Sequence, residues 1–183
     1  MSVHLLLLAL QSLHKIASRL GINIDVPDFY SLYGSPPMVF EEAVRRAARV
    51  LEGLMVEHGV SWWDVYLESD IGAERVLLVD ELGLSRRDRV LDVGCRRGYF
   101  SYAAARAAGL VVGINIMNGY GRIGWWDEYM KAVKLLGLEG RVLGVAADAT
   151  AMPFRDSVFD YAVAAHSIRD FSSNEVLEAR LGR

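Results

Sequence analysis

The chain has few of the residues that form covalent or metal crosslinks. Its 183 residues include one cysteine, Cys95, and four prolines. A lone cysteine excludes a disulfide within the chain and leaves no cysteine set for a structural zinc ion. We therefore expect a protein of a reducing compartment, the cytoplasm, without a bound structural metal. A chain of this length buries roughly 70% of its unfolded surface, so a hydrophobic core alone is sufficient for folding.

Long apolar runs and a large excess of one charge are also missing. The leucine-rich run at residues 5–10 is too short to span a membrane and has no lysine or arginine before it. We expect neither a transmembrane segment nor a signal peptide. The net charge of −3 gives no general attraction to nucleic acid, so we do not expect a nucleic-acid partner. The scarcity of glutamine and cysteine, with one residue each, is typical of thermophiles. A GC-rich genome also favours arginine over lysine, and the chain has only three lysines.

Hydrophobic periodicity divides the chain into a helical segment, residues 1–70, and an alternating α/β segment, residues 71–183. In the first segment it predicts helices over 4–20 and 37–58, and a short helix that Ser61 and Asp64 begin with a capping box. In the second it predicts strands over 89–93, 110–115, 142–146 and 158–165, and helices over 71–82, 99–108, 125–136 and 173–181. Alternating strands and helices predict a parallel sheet with right-handed crossovers.

The most informative stretch is R-V-L-D-V-G-C-R-R-G-Y-F, residues 89–100. A buried strand ends in Asp92, the glycines Gly94 and Gly98 follow, and an amphipathic helix then begins. Such a strand, turn and helix start form a cradle for a phosphate or a nucleoside, because glycine admits a ligand close to the backbone and the helix start offers free N–H groups. The spacing does not fit the dinucleotide fingerprint G-x-G-x-x-G.

The pattern Asp92-x-Gly94-x-x-x-Gly98 resembles motif I of the class I S-adenosylmethionine-dependent methyltransferases, commonly D-x-G-x-G-x-G. The resemblance implies a Rossmann-like α/β fold with a parallel sheet in the strand order 3-2-1-4, the later strands missing, and S-adenosyl-L-methionine as cofactor. The methionine end of the cofactor would lie against Asp92 and the loop residues Gly94, Cys95, Arg96 and Gly98. Arg96 replaces the family's middle glycine, and its side chain would point away, pair with the cofactor carboxylate or partly block the site.

Three further segments are similar to methyltransferase domains of ubiquinone and menaquinone biosynthesis. They read D-E-L-G-L (80–84), D-A-T-A-M-P-F with D-S-V-F-D (148–160), and A-H-S-I-R-D (165–170). The resemblance covers about residues 76–171.

These segments imply further contacts with the cofactor. The resemblance assigns the adenine amino group to Asp148 and the ring nitrogen to the backbone of Ala147 and Ala149. Ala165 and His166 would line the methyl-transfer pocket, and His166 is the candidate base.

Two departures from the family concern the second and fourth strands. Asn115 stands where the family has an acid that binds both ribose hydroxyls, with Ile116 next to it. Loss of a charge-assisted hydrogen bond predicts a site weaker by about tenfold. The sequence given stops soon after the fourth predicted strand, residues 158–165. We expect this edge to pair with a second chain, as in a homo-oligomer, or to be covered by the N-terminal helices.

The sequence therefore predicts an S-adenosylmethionine-dependent methyltransferase that acts on an unidentified, small-molecule acceptor. A non-catalytic cofactor-binding or partner-subunit module is the first alternative, and Arg96, Asn115 and the early end of the sequence favour it. The second alternative is an oxidoreductase in which Asn115 and Arg96 bind a 2′-phosphate, although the missing G-x-G-x-x-G argues against it.

Overall fold

The computed structural model describes residues 3–116 and 125–165. The chain divides into two compact units, Met1–Glu74 and Arg75–Arg183. None of the helices in the described part is long and apolar enough to cross a membrane.

The first unit is helical. The predicted capping box is confirmed, because the Asp64 N–H donates to Ser61 Oγ (3.2 Å) and the Ser61 N–H donates to Asp64 Oδ2 (2.8 Å). Gly59 ends the second helix in a left-handed conformation (φ +67°), which suits glycine. The elements are α1 (Val3–Leu20), a 3₁₀ turn (Tyr30–Leu32), α2 (Pro37–His58), α3 (Trp62–Glu68) and the start of α4 (Asp70–Leu82).

The second unit is a four-stranded parallel sheet with flanking helices. The strand order is β3-β2-β1-β4 and every pair is parallel, which confirms the predicted fold class and order. Strands β1 to β3 and the helices between them match the predicted bounds to within one residue. After α4 the elements are β1 (Arg89–Val93), α5 (Tyr99–Ala107), β2 (Leu110–Asn115), α6 (Trp125–Leu135), β3 (Val142–Ala146) and β4 (Tyr161–Val163).

The prediction for the fourth strand was too long, since β4 covers only Tyr161–Val163 of the predicted 158–165. Phe159 packs edge-on against Phe154 (ring centroids 5.0 Å apart) and belongs to the apolar layer on the sheet. Asp160 is held by Arg89: its Oδ2 accepts from the Arg89 N–H (2.8 Å), and its own N–H donates to the Arg89 carbonyl (2.9 Å). With these contacts, the strand begins at Tyr161 and not at residue 158. The predicted helix 173–181 lies outside the described residues.

One row of residues across the sheet shapes the region of the site. The register pairs Asp92 with Val163 on one side and with Gly113 on the other, and Gly113 with Gly144. Side chains of one row point to the same face of a sheet, so the two glycines leave a groove beside Asp92. The alternate residues of the strands form the apolar cluster of the opposite face, which contains Leu91, Val93, Val112 and Ile114.

Candidate functional site

The glycine loop, residues 94–98, follows the central strand β1 at its carboxyl end. Strand β2 lies on one side of β1 and β4 on the other, so the loop sits where the direction of chain connection reverses. Open parallel sheets bind ligands at such a point. The N–H groups of Gly94 and Cys95 both donate to the Ile114 carbonyl (2.9 Å each), which ties the loop to the end of β2.

Three residues of the loop have left-handed backbone conformations. Gly94 (φ +72°), Arg96 (φ +48°) and Gly98 (φ +81°) alternate along the turn. A Cβ on Gly98 would overlap the Tyr129 ring, so this position excludes any larger residue. Arg96 is exposed and adopts the conformation that the family's middle glycine would favour. A left-handed conformation costs about 1–2 kcal/mol in a non-glycine residue, so the loop retains its shape despite the arginine.

The Asp92 carboxyl group lies beneath the loop and is buried, with 2% of the residue exposed. Its Oδ2 accepts a hydrogen bond from Ser101 Oγ of α5 (2.6 Å). Burial raises the pKa of Asp92 to about 6, while the Ser101 hydrogen bonds and the positive charge of Arg75 act in the opposite direction. Asp92 is thus a carboxyl group that changes charge close to neutral pH.

Tyr129 extends this network and is not among the residues predicted from the sequence. The Tyr129 hydroxyl lies 3.2 Å from Ser101 Oγ and 3.3 Å from the Leu143 carbonyl oxygen. Its ring occupies the groove that Gly113 and Gly144 leave open, since a Cβ on Gly113 would lie 2.6 Å from the hydroxyl oxygen. A signal was present in the sequence: a glycine within each of two consecutive strands indicates a large side chain packed across both.

Asn115 ends β2, and its amide nitrogen Nδ2 is a buried atom with no hydrogen-bond partner among the described residues. The Asn115 carbonyl accepts from the Ala147 N–H (3.0 Å) and joins the ends of β2 and β3. Ile116 follows and is half exposed (50%). A buried donor without an acceptor is unfavourable, so Asn115 is suited to a ligand hydroxyl.

Asp148 is exposed and begins a 3₁₀ turn after β3. Its Oδ1 accepts from the Thr150 N–H (2.8 Å) and from Thr150 Oγ1 (2.7 Å), and the backbone hydrogen bond from Thr150 is the main cause of its lowered pKa. Both hydrogen bonds go to Oδ1, so Thr150 does not use Oδ2. The Ala147 N–H donates to the Asn115 carbonyl, whereas the Ala149 N–H donates to no backbone carbonyl of the described residues.

The sequence-predicted residues thus follow the carboxyl ends of neighbouring strands. The glycine loop follows β1, Asn115 ends β2, and Asp148 follows β3. Ala165 comes two residues after β4 and is half-buried, and His166 lies outside the described residues. Neighbouring strands lie about 4.8 Å apart, so these groups form one edge over which an extended ligand can lie.

A family model described as a methyltransferase domain matches residues 91–180 of the chain. A search of curated proteins gave no significant match. The match supports a methyltransferase domain in the second unit.

Several solved structures resemble the chain. The YcgJ protein of Bacillus subtilis is 19% identical, with 60% of this chain and 46% of that chain covered and a TM-score of 0.52. A Methanococcus maripaludis protein assigned as an S-adenosyl-L-methionine-dependent methyltransferase is 14% identical, with 74% and 57% covered and a TM-score of 0.53. An S-adenosylmethionine-dependent methyltransferase of Aquifex aeolicus is 19% identical, with 59% and 57% covered and a TM-score of 0.50.

The chain spans about half the length of these solved structures. At such identities the likeness establishes the fold alone, a Rossmann-like α/β fold with a parallel sheet.

Proposed function

We propose that the second unit binds S-adenosyl-L-methionine along the carboxyl edge of its sheet and transfers the methyl group to a small-molecule acceptor. The observation that carries this proposal is the sequence of groups along that edge. The glycine loop, the Asn115 amide, which has no partner in the described part of the chain, and the exposed Asp148 lie at the carboxyl ends of three neighbouring strands. The cofactor offers matching chemistry in its amino-acid end, ribose hydroxyls and adenine amino group.

Each group has a distinct task in this proposal. The left-handed turn at Gly94 and Gly98 lets the amino-acid end approach the backbone, and the Asn115 Nδ2 donates to a ribose hydroxyl oxygen. The Asp148 oxygen that Thr150 leaves unused accepts from the adenine amino group. When bound, the cofactor supplies a methyl group on a positively charged sulfur. The protein then contributes mainly position and exclusion of water.

The small-molecule acceptor rests on the similarity of segments 80–84, 148–160 and 165–170 to quinone-type methyltransferases, and on the net charge of −3, which does not favour nucleic acid. The methyltransferase-domain match over residues 91–180 favours catalysis over the non-catalytic module. Release of S-adenosylhomocysteine in the presence of quinol or phenol acceptors distinguishes the two.

Calorimetric titration with S-adenosylmethionine and S-adenosylhomocysteine, with NADP as the ligand control, tests the proposal. We expect micromolar binding of the first two ligands and about tenfold weaker binding for Asp148→Asn, because the amide keeps the shape of the turn but loses a charge-assisted hydrogen bond. Asp156→Asn is the matched control, since Asp156 is an exposed carboxylate in a nearby turn. Absence of heat with both ligands, or equal weakening by both substitutions, would contradict the proposal.

A further inference from the structure

We propose that Ser101 and Tyr129 are positioning residues that hold the Asp92 carboxyl group beneath the glycine loop and set its charge, and so tune binding of a positively charged cofactor. This inference rests on the proposed function. It concerns side chains from α5 and α6 that lie below the loop and that the motif itself does not include.

The hydrogen bonds form a chain that runs in one direction. Ser101 has one hydroxyl hydrogen, and at 2.6 Å it donates this hydrogen to Asp92 Oδ2. Its oxygen is then an acceptor for the Tyr129 hydroxyl at 3.2 Å. A hydroxyl group that accepts a hydrogen bond becomes a stronger donor, so Tyr129 supports the ionised form of Asp92 through Ser101.

Tyr129 also has a second acceptor within reach. Its hydroxyl carries one hydrogen, but both Ser101 Oγ and the Leu143 carbonyl oxygen (3.3 Å) lie close enough to accept it. When Asp92 is protonated, its own hydrogen can be donated to Ser101 Oγ, the Ser101 hydrogen can turn to the Tyr129 hydroxyl oxygen, and the Tyr129 hydrogen can turn to the Leu143 carbonyl. The network therefore satisfies its polar groups in both charge states, as a buried site that titrates requires.

Asp92 is the group in this network that changes charge near neutral pH. The groups that face it are Arg75 of α4, Ser101 of α5, Cys95 of the loop and Tyr129 of α6. Burial raises the pKa values of the Cys95 thiol and the Tyr129 hydroxyl, so both remain neutral, whereas the Asp92 pKa is about 6. The adjoining strands contribute no titratable group at this row, only a glycine and a valine.

The Tyr129 ring is fixed independently of its hydroxyl group. It packs on Gly98 and Gly144, and the Trp126 ring stacks on it with centroids 6.2 Å apart at 17°. Tyr129→Phe therefore removes the hydrogen bond and leaves the packing. The neighbouring Tyr102 provides a matched control, because its hydroxyl donates to the Arg97 carbonyl (2.5 Å) and lies 3.3 Å from the Tyr129 carbonyl oxygen. It therefore contacts the backbone of Tyr129 and not the hydroxyl group that faces Ser101.

The experiment is calorimetric titration of the 183-residue protein with S-adenosylmethionine between pH 5 and pH 8. We expect the affinity of the wild type to fall as the pH drops through the titration of Asp92, because the ionised carboxylate favours a cation. Tyr129→Phe should move the midpoint upward by roughly half a pH unit to one unit. Tyr102→Phe changes the affinity without moving the midpoint. S-adenosylhomocysteine, which lacks the positive sulfur, shows a weaker pH dependence.

A second measurement separates the two proposals. Carbon-13 NMR of the Asp92 carboxyl group in the unliganded protein gives its pKa directly, in wild type, Tyr129→Phe and Ser101→Ala. A higher pKa in either variant, measured on protein that circular dichroism shows to be folded, supports the positioning role. Absence of S-adenosylmethionine binding at every pH overturns the proposed function. An unchanged Asp92 pKa in both variants overturns the positioning role.

Discussion

Asp92 determines how stability responds to pH at the scale of a single residue. Its pKa is raised from 3.8 in the unfolded chain to about 6 in the folded one, chiefly by burial. The folded state therefore holds the proton more tightly than the unfolded state. Between these two values the free energy of unfolding falls as the pH rises, because ionisation of the buried acid favours the unfolded chain. The contribution is fully present below pH 4 and lost above pH 6.

Asp92→Asn should abolish this dependence. A pKa raised from 3.8 to about 6 corresponds to about 3 kcal/mol, so we expect the variant to be more stable than wild type by up to that amount at pH 7.5 and equal to it near pH 4. The amide oxygen can still accept from Ser101. Urea unfolding at the two pH values measures the difference, with the exposed Asp156→Asn as control. Equal stability of the variant and the wild type at pH 7.5 would show that burial does not destabilise the Asp92 carboxylate.

Some residues of the site could be predicted from the sequence, and others could not. Asp92, Gly94 and Gly98 belong to a motif whose spacing is local, so the sequence indicated them. Tyr129 meets Ser101 and Leu143 only after α6 has packed on the sheet. No spacing within a short segment encodes that contact, so it could not be predicted from the motif.

Helix α6 is joined to the sheet and to the loop at the scale of elements. The Trp126 ring lies against Gly144, and the Tyr102 hydroxyl lies 3.3 Å from the Tyr129 carbonyl oxygen. The Nε atom of Arg97 in the loop lies 3.6 Å from Glu128 Oε2. Because several contacts join α6 to the glycine loop, a displacement of this helix would also move the loop.

Gly144→Ala tests the fit between α6 and β3. An added methyl group would overlap the Trp126 ring, which is held by its stacking on Tyr129. We expect a loss of about 1–3 kcal/mol in the free energy of unfolding, the usual range for an overpacked core. Gly53→Ala in α2 is the control, since no atom beyond its chain neighbours and the local helix backbone lies within 4 Å of its added Cβ, and it should stabilise by up to about 1 kcal/mol. An unchanged stability for Gly144→Ala would show that α6 is free to shift.

Helices and strands were predictable because their signals are local. The periodicity of apolar residues gave α2 at Pro37–His58 and β1 at Arg89–Val93 with the bounds the structure has. The fourth strand failed because its start is set by partners elsewhere in the chain. Asp160 accepts a hydrogen bond from the Arg89 N–H, and Phe159 packs on Phe154 and is not part of the strand. Apolar periodicity cannot distinguish such a residue from one in a strand.

The sheet has two edges at the scale of the whole molecule. Among the described residues, β4 pairs only with β1, and β3 only with β2. The β4 residue Ala162 is exposed, and its neighbours Tyr161 and Val163 are partly so. An apolar strand with unpaired backbone groups is a template for a further strand. The high apolar fraction of the sequence, 52%, is consistent with an additional buried surface.

We propose that this edge pairs with a second copy of the chain. Ala162→Lys should convert a dimer into a monomer, because a charged side chain at an edge strand opposes pairing with another strand. Sedimentation equilibrium from micromolar to millimolar protein measures the association. Leu77→Lys is the matched control, since it places the same charge on an exposed position of α4 (65% exposed) and should leave the dimer intact. A wild type that is monomeric throughout the range, or a Leu77→Lys variant that dissociates equally, would exclude β4 as the pairing edge.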